Sequence, residues 1–170
     1  MRRADIRIHH AMLFWPRRSA GEMQPHPALL PPTPDGVTTR RIRIAFGALV
    51  LMQAAHSVEE YAGRLWESFP PARVLSESIS SNGETGFIII NIGLILFAIW
   101  CLMFPVLNRW RSASVFIWFW IVIELINGIG HPLWSIRQGG YTPGVLTAPI
   151  LLAIASYLAF RLMSRPQGAQ

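Results

Sequence analysis

Apolar and polar positions along this chain alternate on a long scale, as four runs almost free of charge joined by short connectors rich in Arg, Ser, Gly or Pro. Residues 44–55 are uncharged but fall short of the roughly twenty residues a bilayer crossing needs. They reach that length only if the helix continues through HSVEEYAGRLW to residue 66. Residues 86–105 are the clearest span, with Asn91 as their one amide. Residues 115–123 open a third, aromatic-rich run that then meets Glu124, Asn127 and His131. Pro132 predicts its end, because the residue before proline is disfavoured in helix. Residues 145–160 form the fourth, with Pro149 expected to kink it. The pattern therefore predicts an all-α integral membrane bundle of about four transmembrane helices, at residues 43–66, 86–105, 113–131 and 144–163. Between the first two, Pro70, Pro71 and a serine cluster predict a loop with a short surface helix near 72–80.

Composition agrees. The 170 residues are 52% apolar and 14% charged, against about 25% charged in an ordinary soluble domain. Cys101, the single cysteine, lies in an apolar run and reads as a packing residue; no intrachain disulfide can form. Prolines and paired arginines in residues 1–40 give no helical or strand period, which predicts a poorly ordered segment ahead of a transmembrane domain at 41–165. Met23 offers a later start. A cleaved signal peptide is the rival reading of the first run, but no small-x-small site follows closely.

The formal charge of +6 comes with arginine alone. Eight arginines precede residue 44, and the others flank the apolar runs instead of forming a basic face, which speaks against a nucleic-acid partner. With both termini inside, twelve arginines fall inside and three (Arg64, Arg73 and Arg137) outside. That asymmetry predicts a multi-pass protein of the cell (inner) membrane with both termini cytoplasmic.

The candidate chemistry is carried by polar residues within the spans. His56, Glu59 and Glu60 stand at i, i+3 and i+4, and Glu124, Asn127 and His131 at i, i+3 and i+7, so each set shares a helical face. At 1.5 Å per residue, His56 lies about 20 Å beyond Arg43 and Glu124 about 18 Å beyond Ser112, with His131 about 28 Å. Asn91 and Thr147 fall at a similar depth on the other two helices. Ionisable groups at membrane depth are costly and usually functional. His56, Glu60, Glu124 and His131 are candidate ligands for a divalent transition metal (Zn, Fe or Mn). Glu59 or Glu60 is a candidate acid or base, since one of an adjacent pair should point away from the metal.

The string HSVEE at 56–60, the later His131 and YTPG at 141–144 together resemble the signature of the HXXEE-motif family, small membrane proteins of unknown function. The resemblance covers residues 44–160. It implies His56, Glu59, Glu60, His131, Tyr141, Pro143 and Gly144 as marked positions and implies no established activity. Tyr141 would then be a proton donor or lid, or an aromatic-belt residue. The resulting expectation is a membrane-embedded metalloenzyme, hydrolase or oxidoreductase, with an apolar or lipid-like substrate and an oligomer within reach. A proton-coupled carrier and a structural subunit of a membrane complex are the alternatives for the same cluster.

Overall fold

The computed structural model describes residues 38–164, so the expectation for residues 1–40 lies almost wholly outside it. Among the described residues the fold is all-helical: α1 (Arg40–Ala62), α2 (Leu65–Ser68), α3 (Pro70–Ile79), α4 (Gly83–Cys101), α5 (Ala113–Gln138) and α6 (Ala148–Met163). Two helices, Gly83–Val106 and Ala113–Gln138, are long and apolar enough to cross a membrane, and Ala148–Met163 is apolar but shorter.

Helix α1 begins where the Thr39 side chain accepts from Ile42 N–H, satisfying one of the donors a helix start leaves open. Its buried residues are Ile42, Phe46, Leu49, Val50, Gln53, His56, Ser57 and Glu60, one stripe at three- and four-residue spacing. The stripe is apolar near the arginines and polar beyond them. The helix stops at Ala62, short of the predicted residue 66. Gly63 caps it and Arg64 adopts a left-handed φ of 54°. Gly63 also packs so closely on Pro143 that a Cβ there would lie 2.5 Å from the proline ring.

The helix expected near 72–80 is α3, opened by two prolines in its first turn, where a missing N–H costs nothing. Helix α4 starts at Asn82, whose side chain accepts from Thr85 N–H, and ends in a π-helical stretch, Leu102–Val106, that contains Pro105.

Two proline expectations need correction. Pro132 does not end α5, which runs on to Gln138 and stops at Gly139 with φ 70°. The bias against helix before proline was outweighed by packing, since α5 against α6 is the most extensive helix pairing here. At Gly128, one turn before Pro132, a Cβ would lie 2.6 Å from Leu152 Cβ. Pro149 is no kink either. It sits in the first turn of α6, because 144–147 form a turn closed by bonds such as Ala148 N–H to Gly144 O at 3.0 Å.

The main core lies at the arginine end, where Phe46, Leu49, Ala98, Ile117, Trp120 and Leu158 are wholly buried. A second, smaller cluster of Leu65, Trp66 and Phe87 closes the opposite end. The polar positions of α1 and α5 lie between these two apolar ends.

Candidate metal centre

Helical geometry divides the work of HSVEE before any neighbour is considered. At about 100° per residue, Glu60 lies roughly 40° to one side of His56 and Glu59 roughly 60° to the other. Glu60 meets α5, and Glu59 meets the turn before α6.

On the α5 side, Glu60 Oε1 lies 3.4 Å from His56 Nε2 and 3.2 Å from His131 Nε2. The two imidazoles stand edge to face with ring centroids 4.8 Å apart. All three residues are buried, His56 completely. Their ligand atoms lie within 4.8 Å of one another, close enough to hold a metal ion.

On the α6 side, Glu59 accepts four hydrogen bonds. Leu146 N–H and Tyr141 OH donate to Oε1 at 3.0 and 3.2 Å. Thr147 N–H and Thr147 Oγ1–H donate to Oε2 at 3.0 and 2.6 Å. The carboxylate thereby satisfies N–H groups at the start of α6. Partial burial, then the Glu59 carboxylate beside it, raises the Tyr141 phenol above its usual range, so it stays a donor at neutral pH.

These bonds fix the state of His56. Thr147 has one hydroxyl proton and gives it to Glu59, so at 2.7 Å from His56 Nδ1 it accepts. The proton of neutral His56 therefore sits on Nδ1, an assignment drawn from the network. Nε2 carries the lone pair and points at Glu60. That nitrogen is buried and, among the described residues, has no hydrogen-bond partner despite its 3.4 Å approach to the carboxylate. A lone pair facing a carboxylate oxygen is repulsive unless a proton or a cation stands between them. The buried Nδ1 of His131 is likewise unpartnered.

Gly144, last residue of YTPG, gives the imidazoles their space. Its φ is 90°, and a Cβ there would come within 2.6 Å of the His131 ring and 2.8 Å of His56 Cε1. Only glycine meets both demands.

The remaining predicted residues divide. Glu124 is fully buried but stands apart from the three-residue cluster. With the Gln53 amide oriented to donate, its nitrogen lies 2.9 and 3.1 Å from the two Glu124 oxygens, and Asn127 Nδ2 donates to Oε2 at 3.3 Å. Asn91 Nδ2 donates to Phe87 O within α4 at 3.1 Å. Asn91 and Asn127 both line a cavity of about 260 Å³ that also touches Gln53, Glu60 and His131. Gln53 went unremarked in the sequence although it stands at i−3 from His56 on the same face. Thr147 was legible only as a residue of similar depth; its link to His56 depends on where the turn before α6 lies.

No curated protein and no solved structure matches the chain significantly. Residues 47–159 match the family described as protein of unknown function with HXXEE motif, a stretch that includes the whole cluster and the YTPG turn. The chain, with His56, Glu59 and Glu60 as its HXXEE residues, belongs to that family.

Proposed function

We propose that this chain is a membrane-embedded metalloenzyme in which His56, Glu60 and His131 bind one divalent transition metal. The observation that carries the reading is the spacing of the donors. Tetrahedral coordination with bonds of about 2.0–2.1 Å sets neighbouring ligand atoms about 3.3 Å apart. The Glu60 oxygen stands 3.4 and 3.2 Å from the two Nε2 atoms. The lone pair aimed at it from His56 and the hydroxyl behind the ring fit the arrangement metal-ligating histidines use.

Two imidazoles and one carboxylate leave coordination positions open, as catalytic sites do. A bound ion of this kind supplies a Lewis acid and an activated water. Hydrolysis of an apolar or lipid-like substrate is the reaction class the site fits best, since the neighbouring cavity borders Glu60 and His131. Glu124 is held by the amides of Gln53 and Asn127 outside the cluster, and Glu59 anchors the α6 turn.

Membrane embedding is supported by how little the apolar helices bury. In the most apolar window of Gly83–Val106 only 17% of residues are buried, unlike the core helix of a soluble protein. Leu51, Leu96, Val115, Ile126 and Leu146 all point outward, an extent of exposed apolar surface that water does not tolerate. Helices α1, α4, α5 and α6 then make four crossings with both termini cytoplasmic, by the arginine asymmetry.

Metal analysis of the detergent-solubilised full chain after incubation with Zn, Fe or Mn tests the reading. The wild type should hold close to one equivalent and His56→Ala and Glu60→Gln almost none. Wild-type protein that stays metal-free, or variants that load as well as it does, would remove the metal. Zinc as the retained ion favours hydrolysis; iron or manganese would move the assignment to redox chemistry.

A further inference from the structure

The cavity beside the cluster has a composition that selects a ligand. It is about 260 Å³ and is framed by α1, α3, α4 and α5. Its polar lining is the primary amides Gln53, Asn91 and Asn127 together with Glu60 and His131. Its apolar lining includes Phe69 and Leu75 from the α3 region and Phe87 and Ile90 from α4.

Charge narrows the choice. Among the described residues no arginine lines this cavity; Arg64 and Arg73 line a separate pocket with Glu67, Glu77 and Glu84. The bound divalent ion would be offset by Glu60 and by the Glu124 carboxylate that the cavity-lining amides Gln53 and Asn127 hold. Neither an anionic nor a cationic head would then find a net countercharge for its desolvation cost. Primary amides both donate and accept, which suits a neutral ester, amide or hydroxyl. Volume sets the rest. At about 30 Å³ per water, the space equals roughly nine waters, room for a head and its first carbons only. A longer tail must continue outside, past α3, where Val74, Leu75 and Ile79 are exposed.

We propose that this cavity binds a neutral, single-chain amphiphile taken from the bilayer, with its ester, amide or hydroxyl head against Glu60 and His131. The assignment rests on the metal reading above and names the substrate class for that same site. The head would lie against Glu60 and His131 while the apolar lining takes the first carbons, which would set a scissile ester or amide bond beside the residues that would hold the metal.

The test uses the full chain in phosphatidylcholine nanodiscs with three diazirine-tagged probes: monododecanoylglycerol, dodecanoate and dodecylamine. Crosslinks are mapped by mass spectrometry, and metal content is measured on the same samples. The neutral probe should label Phe69, Leu75 or Ile90 in preference to both charged probes, and untagged monododecanoylglycerol should suppress it. Ile90→Trp, which fills the cavity, should lower labelling at Phe69 by about tenfold, equivalent to about 1.4 kcal/mol, with metal content unchanged. Leu75→Trp on α3 gives an independent block if Ile90→Trp fails to fold. Equal labelling by all three probes, or labelling that both tryptophans leave intact, overturns the proposal while the metal reading stands. Selective labelling of a chain that binds no metal sinks the metal reading and keeps the cavity assignment.

Discussion

Glu59 and Glu60 are one position and about 100° of helix apart, and that angle gives them different partners. Glu60 stands between two imidazoles; Glu59 takes the donors of the α6 turn and holds the hydroxyl that orients His56. Losing an outer partner of a metal-bound histidine typically costs about 10–100-fold in metal affinity. Thr147→Val should therefore weaken metal binding by about that factor and Thr147→Ser should restore it, as read by zinc competition titration. The Nδ1–H tautomer of His56 can be checked separately by nitrogen-15 NMR of the metal-free protein. Gly144→Ala places a methyl group against both imidazoles at a φ of 90°. It should cost about 2–4 kcal/mol in unfolding titrations, from overpacking and backbone strain together, and should lower metal content. At this scale the sequence was informative where chemistry is rare. Ionisable groups inside apolar runs stand out, and so do His56, Glu60 and His131. Gln53 did not, and Thr147 stood out only by its depth, because an amide or hydroxyl in such a run gains its role only from a partner on another helix.

Helices in this protein approach one another through glycines whose environments differ sharply. Gly128 on α5 abuts Leu152 and the Ala148 carbonyl on α6, whereas a Cβ at Gly130, two residues on, would meet nothing within 4 Å. Gly128→Ala should therefore destabilise by about 1–3 kcal/mol, since packed backbone cannot give way as a side chain tip can. Gly130→Ala should be neutral or stabilising by up to about 1 kcal/mol, the helix-propensity gain over glycine. Thermal unfolding of the two variants in one detergent makes the comparison. The prolines teach the same point about elements. Pro132 was expected to stop a helix and Pro149 to kink one, yet α5 continues to Gly139 and α6 starts at Pro149's own turn. A proline inside a helix costs about 3 kcal/mol or more, and an extensive α5–α6 contact can outweigh it.

For the whole molecule, the proposed four crossings predict opposite sidedness for two exposed serines, Ser78 on α3 and Ser112 before α5. In a Cys101→Ala background, Ser78→Cys should react with an impermeant maleimide from outside intact cells and Ser112→Cys only after lysis. Reaction of both from one side would discard the topology. Metal that binds only the folded chain should raise thermal stability by about 2.7 kcal/mol at a hundred times its Kd, and chelation should remove that gain. By itself the sequence determined the helical class, the approximate positions of the long helices and the identity of the polar cluster. Those properties follow from which side chains stand in unbroken apolar runs and at what helical period, and both are local. The tertiary structure alone decided that His131 meets Glu60, that Glu59 reaches the α6 turn, and that Gly144 opens the space between the rings. Each of those depends on the rotation and separation of helices many residues apart, which one chain's periodicity cannot encode.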